Sequence, residues 1–283
     1  MSRRRIFQPM ALLLGFLFLY APILSMIFFS FNNSKLVTVW DAANSPTLKW
    51  YAALLRNEQI LNAAWLSIKI GAMTATGAVI FGTLAGLVLA RFGPFKGRTL
   101  LSGMTTAPLV MPEVITGLSL LLLFVSMEQM FGWPAGRGAL TITIAHITFT
   151  MAYVTVIVQS RLAGFDDSLE EAAMDLGARP AKVFFRITLP LILPAIVSGW
   201  LLAFTLSWDD VVISQFVAGP GSSTLPMVIF SKVRLGVSPD VNALATILVM
   251  LVAAGVVASA LWMRRQEKRR DREIQLAVAE NKP

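Results

Sequence analysis

The chain has 283 residues, 56% of them hydrophobic and only 14% charged, with mean hydropathy +0.69 and a net charge of +8 at neutral pH. This composition excludes a soluble globular domain and places the chain in a bilayer. The lack of cysteine excludes disulfides and thiolate metal sites.

A hydrocarbon core about 30 Å thick needs about 20 apolar residues as helix. Lipid offers the backbone no partners, so each long apolar run is predicted to be a helix. The first covers Met10 to Phe31, and the second Asn62 to Ala90, with Lys69 in its outer part. The third covers Leu100 to Ser126 and carries Glu113, and the fourth lies between Arg137 and Arg161 around the sole histidine, His146. The fifth covers Ile187 to Asp209 and the sixth Val241 to Met263. The expected fold class is all-α, with six transmembrane helices over residues 10–263 between a short N-terminal segment, 1–9, and a basic tail, 264–283. Arg3 to Arg5 before an apolar run has the form of a signal peptide. The uncharged stretch from Ile6 through Ser34 exceeds a signal core and no small-x-small site closes it, so an uncleaved first helix is expected.

Lys and Arg concentrate in cytoplasmic connections. With the N-terminus inside, 17 of the 24 fall on the cytoplasmic side: Arg3 to Arg5, Arg91 to Arg98, Arg161 to Arg186, and the tail from Arg264. Six fall outside and Lys69 lies within a span. Both termini are therefore predicted to be cytoplasmic. The asymmetry also accounts for the positive charge without nucleic acid, and the interleaved acids of the tail read as a solvated helical extension. Outside, 32–61 with Trp40, Trp50 and Tyr51, and 217–240 with its GPG and SPD turns, suit either a docking partner or anchoring at the headgroups.

Between the fourth and fifth runs lies the charged segment from Ser168 to Pro190, SLEEAAMDLGARPAKVFFRITLP. Ser168 and Glu171 have capping-box spacing, which predicts a helix from Leu169. Gly177 suits a left-handed C-cap, and Pro180 suits the first turn of a following helix. The intervening helix is two turns long and marginal alone. Leu169, Ala172, Ala173 and Leu176 share one apolar face, and Glu171 and Asp175 share an acidic one. The segment is read either as leaning on the protein's own cytoplasmic side or as meeting a partner.

The spacing Glu171-Ala172-Ala173, three residues, Gly177, nine residues, Ile187-x-Leu189-Pro190 resembles the signature of the permease subunits of binding-protein-dependent ABC importers. The resemblance implies the type I importer permease fold and a bacterial inner (cytoplasmic) membrane location. It implies that the segment is a coupling helix in a groove of a cytoplasmic ATPase, with contacts assigned to Glu171, Ala172, Ala173 and Gly177 and the neighbouring acids Glu170 and Asp175. The implied partners are a second permease chain, two copies of the ATP-binding subunit, a substrate-binding protein and membrane lipid. No cofactor is expected. The sequence contains no G-x-x-x-x-G-K-[ST] loop, so ATP hydrolysis is assigned to another chain. Segments such as TAPLVMPEVITGLSLLLLF and GWLLAFTLSWDDVVISQFVAGPG resemble the polyamine-importing branch, putrescine above all. Permeases for ferric iron, sulfate or other solutes share much of the pattern.

A polyamine crossing a bilayer needs carboxylates and aromatic faces. Glu113 follows Pro108 and Pro112, where a broken helix is expected. It is read as lining the path or as satisfying backbone groups at the break. Asp209 and Asp210 lie about 100° apart on a helix, so at most one faces a path; both are also read as an interfacial pair. Trp208 is read as a cation-binding ring or an interfacial anchor. Lys69 is expected to snorkel or pair with an acid, and His146 to be an interhelical hydrogen-bond partner. The glycines of GAMTATG and FGTLAG are expected at close helix contacts. A stand-alone channel or secondary transporter has no use for the coupling signature. A membrane enzyme needs a constellation that one histidine and scattered acids do not supply.

Overall fold

A computed structural model describes residues 2–36, 39–166, 168–236 and 238–280. Position 1 of the expected N-terminal segment, positions 37 and 38 of the first outer loop, 237 of the second, and 281–283 of the tail lie outside the described residues. Among the described residues the regular structure is helical: α1 (Ser2–Phe29), α2 (Lys49–Leu54), α3 (Glu58–Arg91), α4 (Arg98–Val110), α5 (Glu113–Phe131), α6 (Ala139–Ala163), α7 (Ser168–Asp175), α8 (Pro180–Val183), a π-helical turn (Phe184–Thr188), α9 (Leu189–Asp209), α10 (Val212–Val217), α11 (Leu225–Leu235) and α12 (Pro239–Glu280). Six stretches are long and apolar enough to cross a membrane: Phe7–Phe29, Glu58–Arg91, Glu113–Phe131, Ala139–Ala163, Pro180–Asp209 and Pro239–Gln266.

Two of these differ from the sequence reading. The third run is broken, as its prolines predict, but only its second half forms a span. Met111 is extended (φ −78°, ψ 136°), as sterics require of a residue before proline, and Pro112 is the N-cap of α5. The result is α4, about 20 Å long at 1.5 Å per residue and too short to span, followed by α5, which alone qualifies and runs past Ser126 to Phe131. The fifth span begins at Pro180, not Ile187, because α8, the π turn and α9 are continuous. Pro190 causes the π turn. It has no N–H for the carbonyl four residues back, which its ring would strike, and the backbone widens so that Leu189 N–H bonds to Phe184 O, five back.

The chain divides into two compact units, 59–231 and 1–58 with 232–283. In the larger, α3, α6 and α9 meet around Ala75, Ala78, Val154, Val158, Leu162, Ile192 and Ala203. A Cβ on Gly82 would come within 2.7 Å of Val154 Cβ and 2.9 Å of Met151 O, and one on Gly199 within 3.3 Å of Val154 from the other side. Lipid gives helices no hydrophobic drive toward one another, so close backbone approach at small residues supplies the attraction. A second cluster joins α3, α5, α6 and α10 through Ile70, Phe124, Ile142, Phe149, Ile213 and Val217.

In the smaller unit, α12 packs on α1 and α2. The loop after α1 is held from within by the buried Asn32. Its Nδ2 donates to Val39 O at 2.7 Å, its Oδ1 accepts Asp41 N–H at 3.0 Å, and its carbonyl accepts Trp50 Nε1 at 2.7 Å. Trp40 stacks on Phe28 with centroids 4.4 Å apart, and Tyr51 OH shares a 2.6 Å bond with Ser30. Trp40, Trp50 and Tyr51 thus fasten the loop to the helix before it.

Gly82→Leu is expected to lower stability by about 1–3 kcal/mol through overpacking. Gly93, which has no heavy atom within 4 Å of an added Cβ, should accept alanine. Thermal unfolding of the two purified variants in detergent, compared with the parent, checks the contrast.

Candidate functional site

The charged segment opens with a short helix, α7, that has a built start and stop. Asp166 begins it: its Oδ1 accepts Ser168 N–H at 3.0 Å. That bond, followed by one from the Ser168 hydroxyl, holds the Asp166 carboxyl below its ordinary range. Ser168 is therefore the first helical residue and its side chain serves Asp166, in place of the Ser168–Glu171 capping box and the Leu169 start expected from spacing. At the other end Gly177 is left-handed (φ 83°). Ala178 N–H bonds to Ala173 O at 3.0 Å and Gly177 N–H to Met174 O at 2.8 Å. This is the pair of bonds that defines a Schellman stop.

The face of α7 presented to solvent is apolar at its centre and acidic beside it. Leu169 is 51% and Leu176 90% exposed. Ala172, Glu171 and Asp175 are exposed, and Ala173 is half-buried. Glu170 behaves differently from Glu171. Its Oε1 accepts the Thr188 hydroxyl at 2.7 Å and Arg91 Nη2 at 3.3 Å, with only 20% of the side chain exposed. Its carboxylate is thus occupied within the chain.

The intramembrane acids also diverge. Asp210 follows α9 in an extended conformation and turns inward, its side chain 6% exposed. Its Oδ2 lies 3.0 Å from His146 Nε2 and accepts Ser214 N–H at 2.8 Å, while Oδ1 accepts Ile213 N–H at 3.2 Å. The carboxylate so serves the orphan donors at the start of α10. His146 Nδ1 shares a 2.7 Å bond with Ser207 Oγ, and Ser214 Oγ lies 3.1 Å from Nε2. The histidine is thus an interhelical hydrogen-bond partner, as expected. Asp210 belongs to a buried, satisfied junction, unlike its neighbour Asp209.

Asp209, Glu113 and Trp208 stay available. Asp209 and Glu113 are exposed, and Glu113 is the first residue of α5, at a helix N-terminus where a negative charge is favoured. The break expected after Pro108 and Pro112 thus falls immediately before Glu113. A Cβ on Gly117, one turn later, would lie 2.7 Å from Phe216, so the first turns of α5 adjoin the helix that Asp210 caps. Trp208 ends a ladder at every fourth residue of α9. It stacks on Phe204 at 5.9 Å, which stacks on Trp200 at 5.4 Å. Lys69 lies over Trp65, 5.2 Å from the ring centroid, beside a cavity of about 530 Å³ lined also by Gln59, Asn62 and Ser223. Among the described residues no group of three His, Asp or Glu side chains is placed to hold a metal ion.

The family described as binding-protein-dependent transport system inner membrane component matches residues 82–272, the stretch containing α7 and its Schellman stop. The chain belongs to this family. It is a multi-pass inner-membrane permease subunit of an ABC importer, and the ATPase is a separate subunit. The permease is 59% identical to the putrescine transport system permease protein PotI of Escherichia coli (strain K12), over 94% of each chain. It is 42% identical to the spermidine/putrescine transport system permease protein PotC of the same organism, over 89% of this chain and 91% of that one. Among solved structures, a bacterial ABC transporter involved in the import of the acidic polysaccharide alginate aligns with a TM-score of 0.69 at 17% identity, over 92% of this permease and 97% of that chain. The MetNI methionine ABC transporter in inward-facing conformations aligns at 0.58 and 14% identity, over 71% and 92%. At such identities the likeness concerns the fold.

Several functional partners had no signal in the sequence: Arg91 and Thr188 around Glu170, Ser207 and Ser214 around His146, and Asp166 as the start of α7. Asp210→Ala is expected to cost about 1–3 kcal/mol, because the buried His146 and the first N–H groups of α10 lose their acceptor. Asp209→Asn, at an exposed carboxylate, should leave stability unchanged. Unfolding midpoints of the two purified variants in detergent measure the difference.

Proposed function

We propose that this permease conducts putrescine or a related polyamine across the inner membrane. The observation that carries the reading is 59% identity over 94% of the chain to a permease of a putrescine transport system, with a second relative serving spermidine and putrescine. In this proposal the chain pairs with a second permease, two ATP-binding subunits sit on the cytoplasmic side, and a substrate-binding protein delivers the cargo from outside. Both termini face the cytoplasm, in keeping with 17 of 24 basic residues on that side. Residues 10–263 form the transmembrane domain, between the 1–9 segment and the 264–283 tail.

The coupling segment, 168–190, meets the ATPase through Glu171, Ala172, Ala173, Asp175 and Gly177. Its support is the exposed apolar strip of α7, which water does not favour and which a groove on a partner would cover. ATP-driven closure of the ATPase pair moves α7 and, with it, the spans on either side, opening the path outward; hydrolysis resets it inward. Along the path Glu113 and Asp209 supply negative charge and Trp208 a ring face. A diamine crossing low-dielectric surroundings needs both kinds of partner.

In proteoliposomes holding the complete complex and its binding protein, Glu113→Gln is expected to reduce putrescine uptake by about 10-fold to 100-fold, the worth of a hydrogen bond to a charged group at about 1.5–3 kcal/mol. Asp209→Asn should act in the same direction. Uptake at the wild-type rate in both would remove these carboxylates from the path. Transport of another solute, with no uptake of any polyamine, would refute the substrate.

Gly177→Val forces a β-branched residue to φ 83° and breaks the Schellman stop. The expected outcome is ATP hydrolysis no longer matched by uptake, while the permease remains in the membrane. Simultaneous measurement of phosphate release and labelled putrescine checks it.

A further inference from the structure

The two adjacent glutamates of α7 are built for opposite tasks. Glu171 is exposed, whereas Glu170 is turned back onto the membrane helices. From the Glu170 carboxylate one contact runs to the last residue of α3, Arg91, and another to the last residue of the π turn, Thr188. Thr188 is buried at 4% exposure, and the Arg91 guanidinium carbon lies 5.5 Å from the centroid of Phe165, in the chain leading into α7. All four residues belong to the same compact unit.

We infer that Glu170 is a positioning residue, a clamp that ties the coupling helix to α3 and to the π turn at the foot of α9, so that displacement of α7 is carried into both spans. The physical case rests on how little else holds α7. Its eight residues bury none of their number, and its outer strip faces away from the protein. A two-turn helix of this kind, pushed by a partner, would slide or melt before it moved a span. One carboxylate oxygen, Oε1, accepting from both a guanidinium and a hydroxyl gives the push two points of application. A hydrogen bond to a charged group is roughly twice as strong as a neutral one, and both donors sit on elements that continue into the membrane. The π turn is a widened, compliant stretch, and Thr188 lies where it returns to α geometry.

The inference rests on α7 being the ATPase contact. Its test uses the complete complex in proteoliposomes with putrescine-loaded binding protein. Two ratios are read: stimulation of ATP hydrolysis by the binding protein, and putrescine moved per ATP. Thr188→Val keeps the side-chain shape and removes the hydroxyl; Glu170→Ala removes both contacts; Thr188→Ser restores the donor. Expected is full retention of the ATPase on purification for all three. Both ratios should fall at least about fivefold in Thr188→Val and Glu170→Ala, at the lower bound for coupling between distant sites, and recover in Thr188→Ser.

Wild-type ratios in Thr188→Val and Glu170→Ala would overturn the clamp. So would loss of the ATPase from these variants to the same extent as from a Glu171→Ala variant purified in parallel, because Glu170 would then be a docking contact. A wild-type complex that is stimulated by its binding protein but moves no putrescine would refute the substrate alone. The stimulation ratio would still read the clamp in that case. A wild-type chain that retains no ATPase would refute α7 as the contact and the clamp with it.

Discussion

A helix that stops or changes pitch inside apolar surroundings leaves backbone donors and acceptors that water cannot reach, and each must be answered by the protein itself. The irregular places in this chain obey that demand. Where α9 ends, Asp210 accepts the N–H groups of Ile213 and Ser214 and opens α10. Where the third apolar run breaks, Pro112 brings no N–H and offers its carbonyl to Ile115 and Thr116. Around Pro190 the ladder shifts to five-residue spacing. The breaks therefore fall where a proline or a buried carboxylate provides for them, while the carboxylates of Glu113 and Asp209 remain exposed beside them.

On the exposed α7 the backbone is closed by its own local bonds, and these explain the spacing of its small residues. Ala173 is the C3 and Gly177 the C′ position of a Schellman stop, which Ala178 N–H closes onto Ala173 O and Gly177 N–H onto Met174 O, so the left-handed glycine must follow Ala173 by four residues. Pro190 sets the π turn, and the π turn places Thr188 opposite Glu170. The spacing thus specifies a short helix of fixed length and a fixed exit from it, while the contact with the next span is made by Glu170 and Thr188, which lie outside the spaced residues. Its small residues leave the outward strip of α7 shallow, and bulk there is confined to Leu169, Met174 and Leu176.

Much of this was legible in the sequence, for identifiable reasons. The spans follow from apolar runs of sufficient length. The left-handed Gly177 and the N-terminal Pro180 follow from local sterics, and the glycines of the second run follow from the need for close approach. Most of what failed depended on distant chain, and the rest on competition between neighbouring groups. Glu170 and Glu171 are neighbours of the same type, and only the positions of Arg91, 79 residues earlier, and Thr188, 18 later, separate their roles. Asp210 looked equivalent to Asp209 until His146, 64 residues away, claimed it. The capping box met its spacing rule but lost to Asp166, a stronger acceptor two residues upstream. The prolines announced a break in the third run, yet not that it would leave Glu113 at a helix start.

The π turn has a consequence for how the whole of α9 is aimed. A π turn holds one residue more than the α turn it replaces, and one residue amounts to about 100° around a helix axis. The compass bearing of everything beyond it, the ladder from Trp200 to Trp208 and the pair at 209 and 210 included, is therefore fixed by the number of residues between α7 and Leu189. Deleting a single residue there would leave every side chain downstream chemically intact and swing them all away from their present neighbours. Chain length at that point acts as an angular setting.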